Sequence, residues 1–340
     1  MSNPTLTAAQ DDKSANVVPE IDTHRAVRLG LLAGRMARQG GLLAVIIAMV
    51  IGFGIARPFF LESSNLMNVL LQSAVVGVLA LGQTYVLLTG GIDLSIGSTV
   101  AVTAVCAGLL SHSFPAGLAV LGALLIGAAC GLVNGILVTV THITPFIVTL
   151  GTMSIYAGLA LIIAGGQAVY GIPVGFEDAL AGGILGIPIP VFLFIVLTIA
   201  SALVLKYTVF GEYLIAIGGN PEFARLAGVR VGRHTALAYV VAGTSAGLAG
   251  AILTARLGAA DPTLGQDLLL TAIAATVMGG TKLAGGEGSM VGAAFGAVLI
   301  ATLTAGLTSL NVQAFYQQVA VGAAIILALL IDQLARTRKS

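Results

Sequence analysis

Long apolar stretches alternate along the chain with short polar breaks. Cutting at charges, prolines and glycine pairs leaves ten runs, near 41–57, 66–89, 94–112, 115–141, 144–165, 188–208, 233–256, 266–281, 289–310 and 313–331. These lengths approach the roughly 20 residues that a helix needs to cross a bilayer. The pattern therefore predicts an all-α, polytopic integral membrane protein of about ten transmembrane helices. Forty-five glycines in 340 residues suit helices that approach closely in lipid better than a barrel of alternating strands.

Composition strengthens this reading. The chain is 57% hydrophobic and 9% charged, with mean hydropathy +1.04, whereas soluble domains carry about 25% charged residues. A water-soluble globule is excluded. The net charge of +1 points to no nucleic acid, so the charges inform through their positions. With the N-terminus inside, all but Arg57 and Arg256 of the fifteen lysines and arginines fall on the cytoplasmic side, as the positive-inside bias requires. This predicts a cytoplasmic N-terminal tail over 1–38, whose first 23 residues read as disordered, a transmembrane domain over 39–334 containing a cytoplasmic loop at 206–233, and a cytoplasmic C-terminal tail over 335–340. The polar start and the long first apolar run do not fit a cleaved secretory signal.

Two glycine-rich breaks look alike, Gly90-Gly91-Ile92-Asp93-Leu94 and Gly279-Gly280-Thr281-Lys282-Leu283. Two five-helix halves would have to be inverted relative to one another, yet both breaks fall on the same side, so they give a duplication no coherent support. Small residues at every fourth position, Gly127/Gly131/Gly135, Gly243/Gly247 and Gly292/Gly296, mark faces where a neighbouring helix backbone can approach. Cys106 and Cys130, inside apolar runs, read as reduced and buried.

In the 206–233 loop, residues 220–228 read as one short helix. Asn220 caps it, Pro221 suits its first position, Glu222 complements the positive end of the dipole, and Gly228 stops it. Phe223 and Leu226 would hold such a helix flat at the lipid headgroups, or the helix is a docking element for a cytoplasmic partner; Ala224 and Arg225 belong to the same segment. Asp93, before Ser95 and Ser98, reads as a cap for the next helix or as part of a polar path. Asn68, Gln72, Gln83, Asn134, Thr149 and Gln317 are uncharged polar residues within runs, fit to cross-link helices or to bind a hydroxylated solute. No phosphate-binding loop, metal motif or nucleophile elbow is present, so no catalytic residue and no metal ligand is assigned. An ion-coupled carrier, the competing transport class, would carry carboxylates deep in its spans, whereas Asp93, Asp267 and Asp332 lie at run ends.

Several segments, in order, resemble the membrane permeases of bacterial ATP-binding-cassette monosaccharide importers, the branch that takes ribose, xylose, galactose and autoinducer-2. They are Asn65-Leu66-x-Asn68-x-Leu70-x-Gln72, Thr89 to Ser98, Pro145 to Met153, Gly218 to Val229, and Ala272 to Gly288. The resemblance implies a homodimer of ten-span permeases in the bacterial inner membrane, closest to the ribose type. It implies an ATPase subunit gripping Asn220 to Gly228 and an external sugar-binding protein. ATP and magnesium would sit on the ATPase, with no cofactor in this chain. It also suggests a solute path that includes Asn68, Gln72, Thr89, Asp93, Ser95, Phe146 and Thr149. Leu269 and Thr271 stand where many such permeases carry acidic residues.

Overall fold

The computed structural model describes residues 39–141, 143–184 and 186–337; the tail expected over 1–38 lies outside them. The chain runs through α1 (Gln39–Ala56), a 3-10 turn (Pro58–Leu61), α2 (Ser63–Leu88), α3 (Ile96–Ser111), α4 (Ala116–Val140) and α5 (Pro145–Ile163). A short segment follows, with β1 (Val169–Tyr170), α6 (Val174–Ala181) and the hairpin β2 (Gly183–Ile184) and β3 (Ile187–Pro188). Then come α7 (Ile189–Tyr207), α8 (Val209–Gly219), α9 (Pro221–Leu226), α10 (Val231–Leu257), β4 (Ala259–Ala260), α11 (Gln266–Met278), α12 (Met290–Ser309) and α13 (Ala314–Thr337).

Each of the ten apolar runs coincides with a helix, and seven of these helices are long and apolar enough to cross a membrane. Two runs are shortened. α3 has 16 residues and α11 has 13, which at 1.5 Å per residue gives about 24 and 20 Å against a hydrocarbon core of about 30 Å. α3 starts two residues into its run, after the turn at Asp93, and α11 stops three residues short, at the Gly279-Gly280 turn; both pack against neighbouring helices. The 206–233 segment is not a plain loop: it holds α8 as well as α9.

At the centre, α2 and α10 lie side by side. Around them the packing repeats. α4 packs on α10 as α12 packs on α2; α3 packs on α10, α4 and α5 as α11 packs on α2, α12 and α13. The set α2–α5 is thus related to α10–α13. The first helices of the two sets enter from opposite ends, the inverted arrangement common in transporters. The glycine stripes mediate these contacts. A Cβ at Gly127 would collide with the carbonyl of Gly243, and one at Gly243 with that of Gly127. The α11–α12 contact is closed by Gly292 against Gly279 and Gly296 against Ala275.

The two similar glycine breaks are not the equivalent pair. In the repeat, the segment after α2 corresponds to the segment after α10, where Gly90-x-x-Asp93-x-Ser95-x-Gly97 matches Gly258-x-x-Asp261-x-Thr263-x-Gly265. Gly90 and Gly258 both have positive φ, 79° and 60°. Asp93 Oδ1 accepts from the amide and hydroxyl of Ser95 at 2.8 and 2.7 Å, and Asp261 Oδ1 accepts from the amide and hydroxyl of Thr263 at 2.7 and 2.6 Å. Gly97 and Gly265 meet each other, the backbone of each occupying the space a Cβ on the other would need. Such reciprocity is expected of residues facing across a two-fold axis.

Candidate functional site

Two regions concentrate polar groups, one at each end of α2. At the α9 end, Asn220 Oδ1 accepts from the amides of Glu222 and Phe223, both at 3.0 Å, and so caps α9. Pro221 occupies the first helical position, where a missing N–H costs nothing, and Gly228 at φ 85° ends the turn. Arg225 donates to Glu222 at 2.6 Å across one turn, with both side chains largely exposed, so this pair adds little stability. Phe223 and Leu226 are 72% and 78% exposed. Only Ala224 turns inward, onto Ile217 and Val229.

The base of α9 is fixed by backbone contacts. Gly218, at the end of α8, lies against Leu88 at the end of α2 and against Gly285 and Gly286 in the α11–α12 connection; the Gly286 amide donates to the Leu88 carbonyl at 3.0 Å. Gly285 and Gly286 have φ of 86° and 75°, a region where a side chain is strained. No Cβ fits at Gly218. The segment leading into α9 is therefore packed tightly on the end of α2 and on the α11–α12 connection.

Just beyond α2, the Asp93 turn is buried. Ser95 Oγ donates to Asp93 and accepts from Asn134 Nδ2 at 2.7 Å, while Thr149 Oγ1 donates to the Ile92 carbonyl at 3.0 Å. Four polar residues from two helices and a turn thus form one network. Asp93 caps the turn, two residues ahead of α3, rather than the free amides of α3 itself; the helix begins after Ser95, whose own side chain makes no cap. The Tyr239 hydroxyl faces Gly91, where a Cβ would lie 2.7 Å away. Tyr239 escaped notice in the sequence because a tyrosine in an apolar run looks like any core aromatic.

The residues suggested for a path do not form one site. Asp93, Ser95 and Thr149 belong to the buried network, and Thr89 lies at the end of α2 with its hydroxyl bonded to the Val86 carbonyl. Phe146 is on the exposed face of α5. Asn68 and Gln72 lie at the far end of α2, beside a cavity of about 360 Å³ that Phe59, Asn65, Thr308, Ser309 and Asn311 also line. Leu269 packs half-buried against Gly97, and Thr271 donates to the Leu268 carbonyl at 2.9 Å.

A family model described as a branched-chain amino acid transport system permease component matches residues 65–330. The ribose import permease RbsC of Bacillus subtilis (strain 168) is 41% identical over 303 residues, covering 88% of this chain and 94% of the relative. The D-allose transport system permease AlsC of Escherichia coli (strain K12) is 36% identical, covering 86% and 90%. The L-arabinose permease AraH of Azospirillum brasilense is 35% identical, covering 90% of each. No solved structure matches.

Proposed function

We propose a solute, an assembly and an orientation for this chain, which belongs to the permease family of ATP-binding-cassette importers and is the permease subunit of a monosaccharide importer. It is a multi-pass membrane protein and a transport subunit rather than an enzyme. Membership of this family implies an ATPase and a substrate-binding protein as partners.

The solute is ribose or a related pentose. Its carriage needs hydrogen-bonding groups without a buried counter-charge, in keeping with the carboxamides and hydroxyls along α2 and α12. Two copies assemble in the bacterial inner membrane with both termini cytoplasmic, which the distribution of lysine and arginine supports. Each α9, from Asn220 to Gly228, docks on an ATPase that carries the ATP and magnesium; this chain binds neither. Closure of the ATPases shifts α9, and the glycine junction passes the shift to α2 and α12, so that one side of the path opens as the other closes.

The observation that carries the docking assignment is α9 itself. Two turns of helix are too short to hold alone in water, yet its apolar Phe223 and Leu226 are exposed while its base is locked to two membrane helices. Co-purification tests it: the ATPase subunit accompanies the wild type and is lost from a Glu222→Ala/Arg225→Ala/Phe223→Ala variant that still inserts. Retention at wild-type stoichiometry would refute α9 as the docking element.

A further inference from the structure

The outer end of α2 differs from the rest of that helix. From Ser73 to Leu88 every residue is buried, but Asn68 and Gln72 are exposed, and their side chains make no hydrogen bond to the described residues. Asn65, Asn68 and Gln72 share one face at i, i+3 and i+7. Across the cavity stand Thr308 and Asn311, from the last turn of α12 and the residues after it. Asn311 adopts φ 61°, the one non-glycine residue in the left-handed region among those described.

Carboxamides facing lipid are costly in a spanning helix, and three on one face would be more so. They face the cavity instead. The carboxamides of Asn68, Gln72 and Asn311 each offer two donors and an acceptor; Asn65 spends one donor on the Phe60 carbonyl, and Thr308 and Ser309 donate to the Thr304 and Gly306 carbonyls, so that these two hydroxyls serve a ligand as acceptors, a set that suits the donors and acceptors of a polyhydroxylated ring. Among the described residues no lysine, arginine, aspartate or glutamate lines the space, so it suits a neutral ligand. Phe59, 59% exposed at the rim, supplies an apolar ring for the C–H face of a sugar. At about 360 Å³ the cavity is at the small end of ligand pockets, roughly 300–1,000 Å³, which favours a single sugar over an oligosaccharide.

We infer that this cavity, between the outer ends of α2 and α12, is a monosaccharide subsite at the extracytoplasmic mouth, where the solute pauses between the external binding protein and the closed core of the bundle. The inference rests on the importer reading and on the orientation with α9 in the cytoplasm. Release onward requires the site to be weak. Its groups are accordingly few and uncharged, and its walls belong to one protomer, so each half of a dimer carries one.

Two measurements on the full chain with its ATPase test this. In the first, Asn68→Cys is labelled in intact cells with a membrane-impermeant maleimide, against the unsubstituted chain that carries only Cys106 and Cys130. Labelling is expected, and ribose, arabinose or allose at high millimolar concentration slows it several-fold, whereas glycine betaine at equal osmolarity does not. In the second, Asn68→Ala/Gln72→Ala loses two hydrogen-bonding partners and shows about a tenfold fall in sugar uptake at sub-saturating sugar, while ATPase stimulation by the loaded binding protein is retained and Asn68→Gln restores part of the uptake. Labelling that none of these sugars slows, or unchanged uptake in the double variant, overturns the subsite and leaves the importer reading intact. Absence of ATP-dependent uptake in the wild type overturns both.

Discussion

The Asp93 and Asp261 turns are made in the same way and follow the first helices of the two related sets, α2 and α10. Each follows a glycine at positive φ, closes an aspartate onto a serine or threonine two residues later, and leads to a glycine that faces its counterpart. Their surroundings differ. Asp93 is 2% exposed and tied through Ser95 to Asn134, with Thr149 bonded to the adjacent carbonyl. Asp261 is half-buried and bonded only within its turn, although β4, just before it, pairs with β1. One local motif is thus rigid after α2 and loosely held after α10. Burial, rather than the turn itself, decides how much each contributes.

The largest effect is expected where the two turns meet. Gly97→Val places branched carbon on the Gly265 backbone, and helices locked by their neighbours cannot step aside; we expect a loss of at least about 3 kcal/mol and little inserted protein, measured as yield and melting temperature in detergent. Asp93→Ala follows. It leaves the amide and hydroxyl of a buried serine without an acceptor, at a cost of roughly 2–4 kcal/mol, and Asp93→Asn, which keeps an oxygen, is milder. A normal melting temperature with an altered solute preference would assign Asp93 to the path instead. Asn134→Ala removes one buried hydrogen bond and costs about 1 kcal/mol. Asp261→Ala is the smallest, within about 0.5 kcal/mol, since water can replace its partners.

Acidification separates the turns further. The hydroxyl and amide of Thr263 hold the Asp261 carboxyl below the usual carboxylate range. Its small contribution is therefore present above the unfolded value of about 3.9 and lost only as pH falls through the lower folded value. Melting temperatures of wild type and Asp261→Ala should differ by the same amount between pH 7 and pH 5 and begin to converge only below about pH 4.

Much of the architecture was legible in the sequence because lipid imposes simple rules. The apolar runs predicted the helices, and the every-fourth glycines of α4 and α10 predicted a close approach and turned out to face each other. The repeat was harder to see. Gly90-Gly91 and Gly279-Gly280 share letters, since any tight turn between apolar helices favours glycine, whereas the true counterparts share hydrogen bonds between aspartate and hydroxyl with few letters in common. α8 was read as loop because it follows α7 after a single residue, Thr208, and Lys206 had marked the end of the run. The Asn220 cap and the Gly228 stop could be read directly, being local chemistry. The division of the polar residues between a buried network and the cavity between α2 and α12 could not, because it depends on which faces α4, α5 and α12 bring together.

The most direct test of the central claim is transport itself. Proteoliposomes holding this chain, its ATPase and its external binding protein should accumulate radiolabelled ribose only when ATP is supplied to the face that carries α9. Accumulation driven by a proton or sodium gradient without ATP would contradict it.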